Sequence, residues 1–161
     1  MHLPTRILVA TDFSETADAA FDYAVELAKQ LGAKVVVMHA YELPVYGFPS
    51  GALVASVEMA TRIMSGAQEA LDAACKARAS TGVEISQVVR QGVAWEEVHR
   101  VADETNADLI VIGTHGRKGL SRALLGSVAE KIIRTSTRPV LTIHLSAEKA
   151  KEKAAAAPRS S

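Results

Sequence analysis

Five short runs of β-branched and aliphatic residues, separated by longer stretches with helical periodicity, restrict this chain to very few folds. The runs are RILVAT (6–11), KVVVMHA (34–40), EISQVVR (84–90), DLIVIG (108–113) and PVLTIHL (139–145). Strands that alternate with helices build a parallel α/β sheet, because joining two parallel strands takes a long crossover that a helix supplies. The stretches VVVM and LIVI are apolar throughout, as central strands covered by helices on both faces must be. EISQVVR is more polar and fits a sheet edge.

The intervening segments carry apolar residues at the 3.6-residue period. Ala17, Ala20, Phe21, Ala24, Leu27, Ala28 and Leu31 form one stripe, and Gly32 follows where a left-handed helix terminator belongs. Val57, Ala60, Ile63, Met64, Ala67, Leu71, Ala74 and Cys75 form a second, Trp95, Val98, Val101 and Ala102 a third, and Val128, Ala129, Ile132 and Ile133 a fourth. All four are read as core, with Met64 and Trp95 filling gaps rather than holding a cofactor.

At 161 residues the chain suits one domain. Domain structure is expected over residues 1–145. Residues 146–161 have helix formers but no apolar stripe, and are expected to be a polar, flexible tail. Residues 41–52, YELPVYGFPSGA, read as a loop. Lys plus Arg and Asp plus Glu balance at 18 each, which argues against a nucleic-acid partner. Cys75 is the lone cysteine and fits a reducing compartment as a small core residue. The first residues lack a charged, long-apolar leader, and no run approaches the roughly 20 apolar residues of a bilayer span. A cytoplasmic protein without a membrane partner is therefore expected.

In open parallel sheets the ligand lies beyond the carboxyl ends of the strands, where the strand order reverses. Two orders suit five strands: 3-2-1-4-5 and 2-1-3-4-5. Ligand-type chemistry follows strands 1 (ATDFSE) and 4 (GTHG), whereas strand 3 ends in the plainer RQGVA. This favours 3-2-1-4-5, a single Rossmann-like domain with helices on both faces.

The connection after strand 4 holds Gly113, Gly116, Gly119 and Gly126 together with Arg117, Lys118 and Arg122. Glycines permit positive φ and let backbone N–H groups approach a phosphate chain, and a helix N-terminus adds free donors and a positive dipole end. Ser127 begins an S-x-x-E pattern with Glu130, a capping box that would start a helix there. Capping and ligand contact by Ser127 are compatible. Asp12 has two readings: acceptor for a ribose hydroxyl, or N-cap of the first helix through the DFSE pattern. Arg117, Lys118 and Arg122 either meet phosphates or are solvated loop charges. His115 either stabilises phosphate charge or is exposed without a role. His39, at the end of strand 2, either approaches the adenine side or, as favoured, is a buried histidine with a backbone partner; His99 and His144 are expected to be structural. No spacing of His, Cys, Asp and Glu suggests a protein metal cage, so any metal would be Mg²⁺ carried by phosphates.

These residues resemble the universal stress protein family. Gly113, Gly116, Gly126 and Ser127 match its nucleotide motif G-x2-G-x9-G-[ST] without a gap, and the likeness extends over ILVATDFSE, VVVMHAY and TRPVLTIH, about residues 4–145. The family includes members that keep this motif and bind ATP, and this chain keeps it. The resemblance implies that Asp12 holds the ribose or adenine side and that the main chain of Ala40 meets the adenine. It places Gly113, Gly116, Gly126, Ser127 and Val128 around the ribose and phosphates. It also implies a homodimer paired through strand 5, in the region of Val140, Thr142 and His144. An apolar edge such as PVLTIHL independently calls for pairing.

Three functions follow as alternatives: an ATP-binding regulator of the stress response, a slow ATP-hydrolysing or ATP-using enzyme, and a dimeric scaffold indifferent to nucleotide. The first is favoured. No G-x4-G-K-[ST] loop is present and no paired carboxylates lie near the site for phosphoryl transfer, so no catalytic residue is expected.

Overall fold

The computed structural model describes residues 3–43, 45–48, 51–54, 57–114 and 125–145. The elements run β1 (Arg6–Ala10), α1 (Glu15–Leu31), β2 (Lys34–Tyr41), β3 (Val45–Phe48), β4 (Gly51–Val54), α2 (Val57–Lys76), β5 (Ile85–Gln91), α3 (Ala94–Glu104), β6 (Leu109–Gly113), α4 (Ser127–Thr135) and β7 (Val140–Ile143). The five-stranded sheet has the order β5-β2-β1-β6-β7, and every pair in it is parallel. Counting its strands along the chain, this is 3-2-1-4-5, as the chemistry of the strand ends indicates. β5 and β7 are its edges.

Side chains alternate across a strand, and the two cores follow that alternation. Ile7, Val9, Val35, Val37, Leu109 and Val111 face α1 and Leu71 of α2. Leu8, Val36, Met38, Ile110 and Ile112 face Val98 and Val101 of α3 and Ala129 and Ile132 of α4. Phe21, Leu71, Ile110 and Ile132 are almost wholly buried, and burial of each such side chain stabilises by about 1.5–3 kcal/mol. Ala17, Ala20, Ala24 and Ala28 are buried along α1, which gives this helix a small-residue face toward the sheet. Gly32 ends it with φ 65°, and its N–H meets the carbonyl of Ala28.

Three expectations are corrected. The 41–52 segment is not simply a loop: β3 and β4 form an antiparallel hairpin with Val45 opposite Val54 and Phe48 opposite Gly51. The apolar stripe of α2 is core only toward its C-terminal half. Val57 is 85% and Met64 48% exposed, because the helix meets the sheet around Ala67 and Leu71. Likewise Val128 and Ile133 of α4 are about two-fifths exposed (43% and 41%), whereas Ala129 and Ile132 carry the packing. A nine-residue helix lying across one sheet face buries a narrow stripe.

Arg78, which no periodicity singles out, joins α1 to the end of α2. It is buried, reaches Asp18 Oδ1 at 2.5 Å and Asp22 Oδ1 at 2.6 Å, and donates to the Ala74 carbonyl at 2.8 Å. Its guanidinium lies 4.2 Å above the centre of the Phe21 ring, so one fork engages two carboxylates, a carbonyl and an aromatic face.

Candidate functional site

β1 leads through α1 to β2 on one side, whereas β6, its other neighbour, leads through α4 to β7 on the opposite side. The carboxyl ends of β1 and β6 therefore diverge, and the register Ala10 opposite Ile112 puts Asp12 and Gly113 in the two segments that leave this point. Ala40 lies two residues beyond Met38, the β2 partner of Ala10. The sheet thus brings Asp12, Ala40 and Gly113 to one end.

After β1 the chain turns sharply before entering α1. Phe13 has φ 63°, a left-handed conformation that a bulky side chain seldom adopts. Three hydrogen bonds hold it there. The Phe13 N–H donates to Thr11 Oγ1 at 3.0 Å, the Ser14 N–H donates to Asp12 Oδ1 at 3.0 Å, and the His39 Nδ1–H donates to the Thr11 carbonyl at 2.7 Å. The Phe13 and His39 rings lie with centroids 4.5 Å apart. Helical geometry starts only past this turn, so Ser14, not Asp12, is the N-cap of α1. Its hydroxyl accepts from the Ala17 N–H at 3.2 Å. The capping reading of Asp12 is thereby overturned, and its carboxylate instead faces the turn at the sheet end.

Gly113 has a packing reason. A Cβ there would come within 3.0 Å of the Thr16 carbonyl carbon and the Ala17 nitrogen, so its lack of a side chain lets the end of β6 approach the start of α1. The next residue, Thr114, donates its N–H to the Ile143 carbonyl at 2.9 Å, and its own carbonyl accepts from the Gly126 N–H at 2.8 Å. The ten residues 115–124, with His115, Gly116, Arg117, Lys118, Gly119 and Arg122, lie outside the described residues.

Gly126 is the N-cap of α4 with φ −61° and ψ 144°. Ser127 is therefore the first helical residue rather than the cap, and the cap residue, a glycine, has no side chain to bond this end. The capping-box expectation fails because the Thr114–Gly126 bond fixes Gly126 in extended geometry and the helix begins immediately after it. Neither Gly113 nor Gly126 has positive φ, so these two glycines are not present for left-handed backbone. The first-turn amides of α4, at Ser127, Val128 and Ala129, precede the first intrahelical bond, which Glu130 makes to Gly126. Such an end concentrates N–H donors and the positive end of the helix dipole. Ser127 and Val128 are exposed.

His39 has the backbone partner expected of it but is only half-buried, because it sits where β2 emerges at the sheet end. His99 Nε2 lies 2.8 Å from Thr135 Oγ1, and burial lowers its pKa against the pull of Asp103. His144 Nδ1 lies 3.2 Å from Thr114 Oγ1. Among the described residues no cluster of three or more His, Cys, Asp and Glu could hold a metal ion. Periodicity and motif reading passed over Thr11, Phe13 and Thr114. Thr11 and Ser14 flank Asp12 and Phe13 as turn-forming hydroxyls, but nothing marks a phenylalanine for positive φ.

The sheet order defines a Rossmann-like α/β protein whose switch point lies at the carboxyl ends of β1 and β6, beside the start of α4. A model of the universal stress protein family matches residues 4–144, and the chain belongs to that family. Universal stress protein MJ0531 of Methanocaldococcus jannaschii is 35% identical over 144 residues, covering 88% of this chain and 83% of that protein. The crystal structure of a family member from Burkholderia pseudomallei superposes with TM-score 0.70 at 30% identity, over 86% of this chain and 95% of that one. A universal stress protein from Archaeoglobus fulgidus, solved in complex with dAMP, superposes with TM-score 0.56 at 25% identity, over 86% and 97% of the two chains.

Proposed function

We propose that this universal stress protein is an ATP-binding regulator that works as a homodimer, with nucleotide held between the ends of β1 and β6. The observation that carries the reading is the start of α4. It is capped by a glycine, which has no side chain to occupy its amides, and tied at 2.8 Å to Thr114 at the switch point. Amides of Ser127 and Val128 would receive phosphate oxygens, with the Ser127 hydroxyl as a further donor. Gly113, Gly116, Arg117 and Gly126 complete the proposed phosphate side, and Mg²⁺ would be coordinated by the phosphates themselves. Asp12 would accept from the ribose hydroxyls, and the main chain of Ala40 would meet the adenine. The dAMP complex of the Archaeoglobus fulgidus relative supports an adenine nucleotide as the ligand class.

For the dimer, the supporting feature is β7. Among the described residues it pairs with β6 along one edge, with Val140, Leu141 and Ile143 half-buried and Thr142 exposed. Calorimetric titration of the nucleotide-stripped protein with ATP and Mg²⁺, repeated with Gly116→Val, tests the site. Binding by the parent that the variant loses is the expected result, and absence of binding by the parent overturns the reading. Sedimentation of the protein as a monomer would remove the dimer from it.

A further inference from the structure

We infer that His39 is the positioning residue for Asp12, acting through the main chain of Thr11, and so sets how strongly the site discriminates a ribose from a sugar lacking its hydroxyls. This rests on the proposed nucleotide site and deepens it.

A carbonyl oxygen can only accept, so the 2.7 Å contact of His39 Nδ1 with the Thr11 carbonyl makes Nδ1 the protonated nitrogen. That carbonyl belongs to the peptide unit that joins Thr11 to Asp12, and a peptide unit is planar. Fixing its oxygen therefore fixes the direction in which the Asp12 nitrogen and Cα leave β1. The next residue, Phe13, sits at φ 63°, a conformation that persists only when surroundings over-determine it. The His39 ring supplies part of that constraint as well, at 4.5 Å from the Phe13 ring. The Asp12 carboxylate is then oriented by the Ser14 N–H at 3.0 Å. A carboxylate accepts several bonds at once, so this contact aims the group without exhausting its acceptor capacity. One imidazole, at the end of β2, thus holds both sides of the strained turn that presents Asp12.

Two variants separate positioning from bulk structure. His39→Phe keeps an aromatic ring beside Phe13 but has no donor for Thr11. His39→Asn places an amide N–H near the Nδ1 position and should restore the bond. Affinities for ATP and for 2′,3′-dideoxy-ATP are measured by calorimetry for the parent, both variants and Asp12→Ala, with amide exchange of Phe13 and Ser14 followed by NMR.

The parent should prefer ATP by about 10-fold or more, the value of hydrogen bonds to a charged acceptor, and Asp12→Ala should abolish the preference. His39→Phe should move toward Asp12→Ala while its dideoxy-ATP affinity stays within about 2-fold of the parent, and its Phe13 and Ser14 amides should exchange faster. His39→Asn should recover most of the preference. An unchanged preference in His39→Phe, or equal weakening toward both nucleotides, overturns the inference. If the parent binds neither nucleotide, the site reading fails separately. Amide exchange then decides the positioning claim, which unchanged exchange in His39→Phe would overturn.

Discussion

The Gly126 N–H donates to the Thr114 carbonyl at 2.8 Å, so the start of α4 is tied by main chain to the residue that follows β6. The bond brings the ends of an eleven-residue connection together at the sheet's switch point. It also explains why α4 starts where it does, with its first amides beside the end of β6.

Because Gly126 has φ −61° and ψ 144°, its backbone does not demand glycine. Gly126→Ala should leave the nucleotide-free protein within about 1 kcal/mol of the parent, because reduced freedom of the unfolded chain offsets the poorer N-capping of alanine. A Cβ at the helix mouth should nonetheless weaken ATP binding by about 10-fold or more. Thermal melting without nucleotide and calorimetry with it read the two effects. A large loss of stability would show that the glycine serves packing instead.

The serines that begin the two helices at the site should behave differently. Ser14 is a true N-cap that accepts from Ala17, so Ser14→Ala should cost about 1 kcal/mol in urea unfolding. Ser127 lies inside α4 and caps nothing, so Ser127→Ala should change stability by less than about 0.5 kcal/mol. Its effect should fall on ATP affinity, by roughly 10- to 100-fold, if its hydroxyl meets a phosphate.

Gly113→Ala should be damaging without any ligand. The new methyl would stand 3.0 Å from main-chain atoms of Thr16 and Ala17, which cannot swing aside as a side chain can. Overpacking of this kind costs about 1–3 kcal/mol. Urea denaturation measures it, and an unaltered midpoint would show that α1 yields freely at its N-terminus.

Acid stability should depend on Asp108. Burial pushes its carboxyl pKa up, but the Thr5 and Arg6 N–H groups and the Thr5 hydroxyl donate to it and together hold it below the usual value. The folded state therefore binds fewer protons than the unfolded chain between the two pKa values, and stability rises with pH there. The contribution is present above the ordinary aspartate value of about 3.9 and is lost as pH falls through the lower folded value. Urea unfolding across acidic pH should show this component in the parent and lack it in Asp108→Asn.

Alternation of Ile7, Leu8 and Val9 between two cores, the apolar runs of β2 and β6, and Gly32 at the end of α1 are consequences of local pattern. The side-chain period of a strand and the steric freedom of glycine act on neighbours along the chain, so these features are legible in the order of residues itself. The ligand-type residues after strands 1 and 4 likewise point to the switch point, because chemistry clusters where the order reverses. Exposure of Val57 and Met64 is not legible in this way. A helix stripe records which residues are apolar, not how far along its length the sheet extends.

The same division holds at the site. Amino-acid order alone determined the α/β class, the strand order and the pairing of Asp12 with the Gly113–Ser127 connection, since each rests on residue type and spacing. Tertiary structure decided that Ser14 rather than Asp12 caps α1, that Gly126 rather than Ser127 caps α4, and that Gly113 is small for the sake of Thr16 and Ala17. It also joined His39 to Thr11, 28 residues away in sequence. These are outcomes of contacts between segments distant along the chain, and such contacts exist only once β1, β2 and β6 lie side by side.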